Sequence, residues 1–405
     1  MTTTFASPGL TDRVRELRGT MLDFIDNEVC PAEHLIDAGG EQRAKVVAEL
    51  RAEAQRRGLW ALGHPVALGG QGLSFMEFVH LNEIIGRSEH GMLAVGSMTQ
   101  HDTIMWDRYG TEAQKERWLT GLVNGDYPWI AIGLTEPDAA GSDPTQMQTT
   151  AVLDGDEWVI NGAKWFTSWA NLAPAVLVWA KTDPDAPPHR QFSAIIVPTD
   201  TPGYELVRVI RTMGHEGGNH CELRFTDVRV PKENLFGPRG NAFAVAQGRL
   251  GPGRIFHCMR WLGQMQRAFE LMCERARTRY AHGSYLHEKG EIRRYIAESA
   301  ADIQAHRLMT LEAARVVDQG GDDRVAISLI KFRGAEYLHN VIDRAIQVYG
   351  AMGVTEDTPL AKMYRDARYA RLYDGPDEVH RMVVARRLVQ PGAAAPWSFE
   401  GVSNV

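Results

Sequence analysis

Three carboxylates crowd one short stretch, RLYDGPDEVH at 371–380, where Asp374, Asp377 and Glu378 surround a Gly-Pro turn. A carboxylate fixed at a bend can act as a general base. Asp-Gly and Pro-Asp are also ordinary turn formers, because Asp hydrogen-bonds its own backbone and Gly accepts positive φ. The stretch alone leaves both readings open. Upstream, QVYGAMGVTED ends a helical pattern at Gly350, turns through Gly353 and restarts, and the chain passes Arg365, Arg368 and Arg371 before it reaches Asp374. Two more stretches carry possible chemistry. In GLTEPDAAGSD, 133–143, Glu136, Asp138 and Asp143 stand beside Ala139, Ala140 and Gly141, which are small enough for backbone N–H groups to approach an anion or a ring. A polar loop with a tight turn is the plainer account. In KWFTSW, 164–169, strand alternation puts Trp165 and Thr167 on one face. That pair could flank a flat heterocycle, or Trp165 could simply fill a core.

Other candidates fall away. GGQGLS and GAMGVTED do not sit between a buried strand and a helix, as a dinucleotide-binding turn requires. HEGGNH lacks the zinc-protease spacing, and its two glycines oppose a helix. No GxSxG or paired Cys/His arrangement points to acyl transfer. Cys30, Cys221, Cys258 and Cys273 show no metal spacing and are too scattered for a disulfide framework, which suggests a reducing compartment.

The elements that must position these residues come in three blocks along 405 residues. From about 10 to 130 the period is helical. Thr11 caps a first helix with Val14, Leu17, Leu22 and Ile25 as its stripe, and Thr111 caps TEAQKERWLTGLVNGD, with Glu112 in the first turn and Gly125 after the end. From about 131 to 235 the period becomes twofold. Asp154-Gly155 marks a hairpin, PAVLVWAKT and QFSAIIVPT read as buried strands, and CELRFTDVRVP keeps Leu223, Phe225, Val228 and Val230 on one face only if Asp227 is a bulge. Strands at this spacing suggest a barrel or sandwich. From about 241 to 390 helices return. Ile292, Ile296, Ala300 and Ile303 form one stripe, and Ile327, Ile330, Gly334, Leu338, Val341, Ala345 and Val348 another, as in a bundle. The tail PGAAAPWSFEGVSNV reads as irregular. A net charge of -7, with basic and acidic residues interleaved, gives no reason to expect nucleic acid, and no apolar run is long enough for a membrane span. The N-terminus shows no secretory pattern, so a cytoplasmic protein is expected.

Taken in order, these motifs resemble those of the flavin-dependent acyl-CoA dehydrogenases. TEPDAAGSD is similar to the family's TEP-x-x-G-SD signature, KWFTS to its KxWIT strand, RFTDVRVPKENLFG to its F-x-DV-x-VP segment and QVYGAMGVTED to its Q-x-x-GGxG motif. RARTRYAHG resembles R-K-x-FG, and GLWALGHPVALGGQGLS and YGTEAQKERWLTGLVNGD are further landmarks, so the likeness spans nearly the whole chain. The resemblance implies an α+β chain with an N-terminal all-α domain (1–130), a middle β-barrel domain (131–240) and a C-terminal four-helix bundle (241–405).

It also implies FAD. By motif position Thr135 would meet the polar edge of the isoalloxazine, Trp165 would lie against the ring, and Thr167 would bond near its hydride-accepting nitrogen. Ser142 would serve the phosphates or the substrate, and Arg254 the substrate. Arg279, Gln347 and Gly350 would reach the adenine and pyrophosphate end, with Asp377 as a turn or cofactor-end residue. A cofactor shared between subunits implies a homodimer or homotetramer, and the family implies electron-transfer flavoprotein as the oxidant. The family's base is usually the Glu of Y-E-G-T, and the matching residue is Asp374 of YDGP; positioned bases typically contribute ~10²–10⁴-fold. Pro376 replaces the usual Thr, Ala351 the second Gly and His282 the usual Phe, and Gly290 stands where Gln is frequent. DGPDEVH and RLGPGRIFHCMR resemble one branch, whose animal members carry a kinase-like domain and act on long, branched or hydroxylated acyl-CoAs; no such domain is expected here. Two alternatives share the fold: a nitroalkane-oxidase-like enzyme with Asp374 as base, and a non-catalytic acyl-CoA-binding subunit.

Overall fold

The computed structural model describes residues 10–97, 100–214, 220–321 and 323–390. Most of HEGGNH and the whole tail PGAAAPWSFEGVSNV lie outside the described residues. By contacts the chain falls into two compact units: 1–33 with 74–91 and 251–405, and 34–73 with 92–250.

The second unit is built on an eight-stranded sheet. Its strands are β1 (Ala131–Gly133), β2 (Thr150–Asp154), β3 (Glu157–Ser168), β4 (Ala175–Lys181), β5 (Phe192–Pro198), β6 (Tyr204–Val209), β7 (His220–Pro231) and β8 (Leu235–Phe236). The hydrogen-bonded order is β6-β7-β3-β2-β4-β5-β8, with β1 parallel to β4. Among the described residues the ladder ends at β6 and β8. The strands expected to form a barrel therefore make one sheet, and apolar clusters on both sides cover its central strands. Alternation along β4 decides which cluster each residue joins: Leu177 and Trp179 pack with Trp106, Trp118 and Phe236, whereas Val176 and Val178 pack with Trp158, Leu223 and Phe225. The β2–β3 hairpin turns through Gly155 at φ +62. The bulge in β7 is where the sequence places it. Asp227 has φ +50, the register slips between Ile160 and Gly162, and Asn161 closes the gap by accepting from the Asp227 N–H at 2.8 Å. Thr111 caps its helix as expected, although a π-turn at Lys115–Leu119 interrupts that helix before Gly125 ends it.

The first unit is helical. Its longest elements are the helices Gly290–Asp318 and Arg324–Tyr349 and most of Ala242–Thr278, followed by the short Leu360–Ala367 and by Asp377–Leu388. Every residue of the stripe predicted on Arg324–Tyr349 is buried, from Ile327 to Val348. Two other stripes shift. On Asp12–Phe24 the inward residues are Val14, Met21 and Phe24, with Ile25 next, while Leu22 is 37% exposed. Leu22 follows Met21 by one position, about 100° around the helix, so both cannot face the core. On Gly290–Asp318 Ala300 is exposed, and the buried row is Ser299, Ile303, His306 and Thr310. Spacing fits both rows, and the polar side chains of the true one conceal it. Glycine permits the closest helix crossing: a Cβ on Gly263 would lie 2.1 Å from the Glu83 carbonyl oxygen, and one on Gly86 2.2 Å from the Arg260 Cα. Among the described residues no helix is long and apolar enough to cross a membrane.

Candidate active site

In the first unit the chain reverses direction through two left-handed residues, Asp374 at φ +54 and Gly375 at φ +100, before Pro376 leads into the helix Asp377–Leu388. Asp is among the few non-glycine types that tolerate this region. Side chains from three helices hold the bend by its carbonyls. Arg254 Nε donates to the Asp374 carbonyl at 2.9 Å, and His380 Nε2 approaches the same oxygen at 3.1 Å. Lys331 Nζ donates to the Ala370 carbonyl at 2.6 Å and reaches the Gly375 carbonyl at 3.5 Å. Since a carbonyl only accepts, His380 carries its proton on Nε2 and its Nδ1 accepts from the Ser328 hydroxyl at 3.2 Å. Burial pushes that imidazole down to about 3, helped by Arg254 and Lys331, so it stays neutral. Burial likewise lowers Lys331 to about 8, against the pull of Asp374. The ammonium sits over the rings of Trp261 and Tyr373, at 5.2 and 5.0 Å.

The Asp374 carboxylate itself is 17% exposed, so it faces a partly open space. Its Oδ2 lies 3.4 Å from His257 Nε2, an ion-pair distance without hydrogen-bond geometry, which is why that oxygen also counts as buried and unbonded. Arg254, expected to serve the substrate, spends its Nε on the bend. Asp377 is almost fully buried, and its Oδ2 accepts from Arg371 Nε at 2.7 Å, so half of this expected cofactor-end carboxylate is tied up in an ion pair. Arg279, Gln347 and Gly350 are exposed at neighbouring helix ends, where the Arg275 guanidinium stands 5.3 Å over the Tyr349 ring.

The second unit gathers Thr135, Trp165 and Thr167. The Trp165 N–H donates to the Thr135 carbonyl at 3.0 Å, joining the end of β1 to β3. Phe166 between the two site residues has φ +51 and the ladder slips there, so simple alternation does not govern this part of β3. Trp165 Nε1 and Thr167 Oγ1 are buried with no hydrogen-bond partner among the described residues. Buried polar groups are ordinarily satisfied, so a donor and a hydroxyl left open together fit the polar edge of a bound heterocycle such as a flavin. Glu136 has a different job from the one its surroundings suggest. It is 4% exposed and accepts from Lys164 Nζ at 2.8 Å, from the Thr149 N–H at 2.9 Å and from the Gln148 N–H. Although burial opposes it, Lys164 and these donors hold the carboxyl below its ordinary range. Lys164 also donates to the Leu134 carbonyl at 2.9 Å, so this ion pair clamps the chain on both sides of Thr135. Ser142 and Asp143 are exposed, and Asp143 caps the following turn by accepting from the Thr145 N–H at 3.2 Å.

The carboxylate at the bend and, in the other unit, the two open polar groups of β3 are each what the flavin-enzyme likeness leads one to expect. Comparison makes the class definite. Models of the acyl-CoA dehydrogenase N-terminal, middle and C-terminal domains match residues 11–126, 131–228 and 240–389. The probable acyl-CoA dehydrogenase FadE2 of Mycobacterium tuberculosis is 42% identical over 386 residues, 92% of this chain and 94% of the relative. Acyl-CoA dehydrogenase family member 10 of the mouse is 40% identical over 398 residues, 93% of this chain but 37% of the relative. The chain thus spans about half or less of the animal relatives it matches. A solved structure from Mycobacterium abscessus superposes with a TM-score of 0.86 at 38% identity, over 93% of this chain and 98% of that one. The chain belongs to the acyl-CoA dehydrogenase family, a family of FAD-dependent oxidoreductases. The expected plan of helical, strand and helical parts is borne out.

Sequence reasoning passed over His257. A signal for it exists: Arg254, His257 and Arg260 recur every three residues, which lines them along one helix face.

Proposed function

We propose that this protein desaturates an acyl-CoA thioester between Cα and Cβ, with Asp374 taking the α-proton. The observation behind this reading is the Asp374 bend: a carboxylate facing open space while its own backbone is gripped by Arg254 and His380. By family likeness Thr135, Trp165 and Thr167 would meet the isoalloxazine and Ser142 the phosphates or the substrate, while Arg279, Gln347 and Gly350 would reach the adenine and pyrophosphate end of an FAD shared with a neighbouring subunit; when bound, FAD accepts the β-hydrogen as hydride. The protein's own part is to hold the base, to orient the thioester and to exclude water, so that the carboxylate becomes a stronger base as the site fills. By family likeness the Asp374 N–H would help support the thioester oxygen as negative charge develops. Long, branched or hydroxylated chains are the substrates favoured by the DGPDEVH sequence. Electron-transfer flavoprotein as oxidant, a homodimer or homotetramer, the division at 130 and 240, a cytoplasmic location and a role in β-oxidation complete the reading.

The test is anaerobic titration of the FAD-loaded protein with short and long straight, 2-methyl and 4-hydroxy acyl-CoAs. One class should bleach the flavin, and Asp374→Asn should bind FAD yet lose that bleaching. Bleaching of the variant at the wild-type rate removes Asp374 as base. Bleaching by nitroethane, and by no thioester, moves it into a nitroalkane oxidase.

A further inference from the structure

The imidazole of His257 stands against the Asp374 carboxylate, and its other nitrogen is engaged. Arg260 NH2 lies 2.7 Å from His257 Nδ1. A guanidinium only donates, so Nδ1 accepts and the ring's proton sits on Nε2, the nitrogen 3.4 Å from Asp374 Oδ2. The Tyr373 ring packs against the imidazole, with centroids 4.7 Å apart and the planes tilted by 44°. One helix face therefore handles Asp374 twice: Arg254 by its carbonyl and His257 by its side chain.

We propose that His257 is a positioning residue for Asp374. Locked by Arg260 as the neutral Nε2–H tautomer, it donates to Oδ2 and leaves Oδ1 directed at the α-proton. This rests on Asp374 being the base. The 3.4 Å separation exceeds a formed N–H···O bond, and catalytic hydrogen bonds commonly tighten only when substrate is bound. A fixed donor also suits a base one methylene shorter than Glu, because the shorter arm has less freedom to find its own orientation.

Charged and titratable groups face this pair from every side. Arg254, Cys258 and Arg260 come from the same helix, Glu89 from the segment before Gly91, Lys331 and His380 from two further helices, and Tyr373 from the bend. Burial pushes the Cys258 thiol up to about 12, and His380 is neutral above about 3. Lys331 titrates at about 8, on the alkaline side. His257 lies against the carboxylate, so an acid limb that moves on substitution of His257 reports on this pair.

The experiment is stopped-flow flavin reduction against pH, with whichever acyl-CoA bleaches the wild type. A donor to a carboxylate favours its charged form, so His257→Leu should move the acid limb about one unit to higher pH and slow the limiting rate about tenfold. His257→Gln, whose amide nitrogen reaches the place of Nε2, should restore the limb. A readout that needs no turnover is ¹⁵N NMR of histidine-labelled protein, with His257 assigned by difference against His257→Gln. The neutral Nε2–H tautomer should persist through the acid limb, and Arg260→Leu should release the ring to be protonated. An unmoved limb in His257→Leu, or His257 protonated on both nitrogens with Arg260 intact, overturns the proposal. Failure of the base assignment would show separately, as wild-type reduction by Asp374→Asn.

Discussion

Glu136→Gln removes one charge and almost no volume from the second unit, and the structure says how much that should matter. Lys164 is completely buried, and its ammonium has three partners: Glu136 Oε1 at 2.8 Å, the Leu134 carbonyl at 2.9 Å and the Met147 sulfur at 3.6 Å. Glu136 is the only one with a charge. Burial already brings Lys164 from the ordinary 10.5 down to about 8, with Glu136 holding it up. Without that carboxylate the lysine would have to fold neutral. Because the wild-type lysine already stands near 8, driving its proton off at pH 7 adds only about 1.4 kcal/mol, at ~1.36 kcal/mol per unit. The charge that Lys164 and the backbone donors stabilise on Glu136 is lost as well, so the expected loss is about 2–4 kcal/mol, reaching into the range for breaking a buried pair. The sign with pH follows. The unfolded chain binds more protons than the folded one between the two values, so stability rises with pH across that window. In the wild type the window opens near 8; in the variant it extends down through neutral pH. Urea unfolding, followed by tryptophan fluorescence at pH 6 to 9, reads both effects. Glu136→Gln with Lys164→Met should recover most of the loss. A single variant within about 1 kcal/mol of wild type at pH 7, with no rise toward pH 9, would refute this account of the clamp.

Two further outcomes are expected. His306 and His380, both pushed to about 3 chiefly by burial, are neutral in the fold, so the unfolded chain takes up protons first as pH falls. Their contribution is complete above about 6.5 and is lost toward 3, about 2 kcal/mol for each by pH 5, visible as a lower urea midpoint at pH 5 than at pH 7. Gly263→Ala puts a methyl 2.1 Å from the Glu83 carbonyl, with backbone on both sides, and should lower stability by about 3 kcal/mol; an unchanged melting temperature would show that the crossing is looser than described.

Where the sequence was legible, one physical signal dominated. The stripe on Arg324–Tyr349 is uniformly apolar apart from its glycine, so period and burial coincide. Asp227 announced its bulge because one residue broke an otherwise strict alternation. Where several signals compete, legibility fails. The inward row of Gly290–Asp318 contains Ser299, His306 and Thr310, and period alone cannot rank it above its apolar neighbours. The charge on Glu136 points to a ligand until Lys164, distant in sequence and buried on β3, is seen beneath it. Phe166 breaks strand alternation through a backbone angle that its residue type does not suggest. At the bend the sequence identified the carboxylate by family likeness, but the grip on its carbonyl and the approach of His257 depend on helix rotation, which period leaves free.

The pinning of the Asp374 bend by Arg254, His380 and Lys331 shifts adaptation onto the other reactant. A loop base could drift inward to make up for a missing methylene; a bend whose carbonyls are fastened from three helices has no slack to give. On the proposed role the thioester must come to the carboxylate. Substrate range should then be set by how deeply the pocket walls let the acyl chain settle, and a change of preferred chain would arise from substitutions along those walls while the bend stayed as it is.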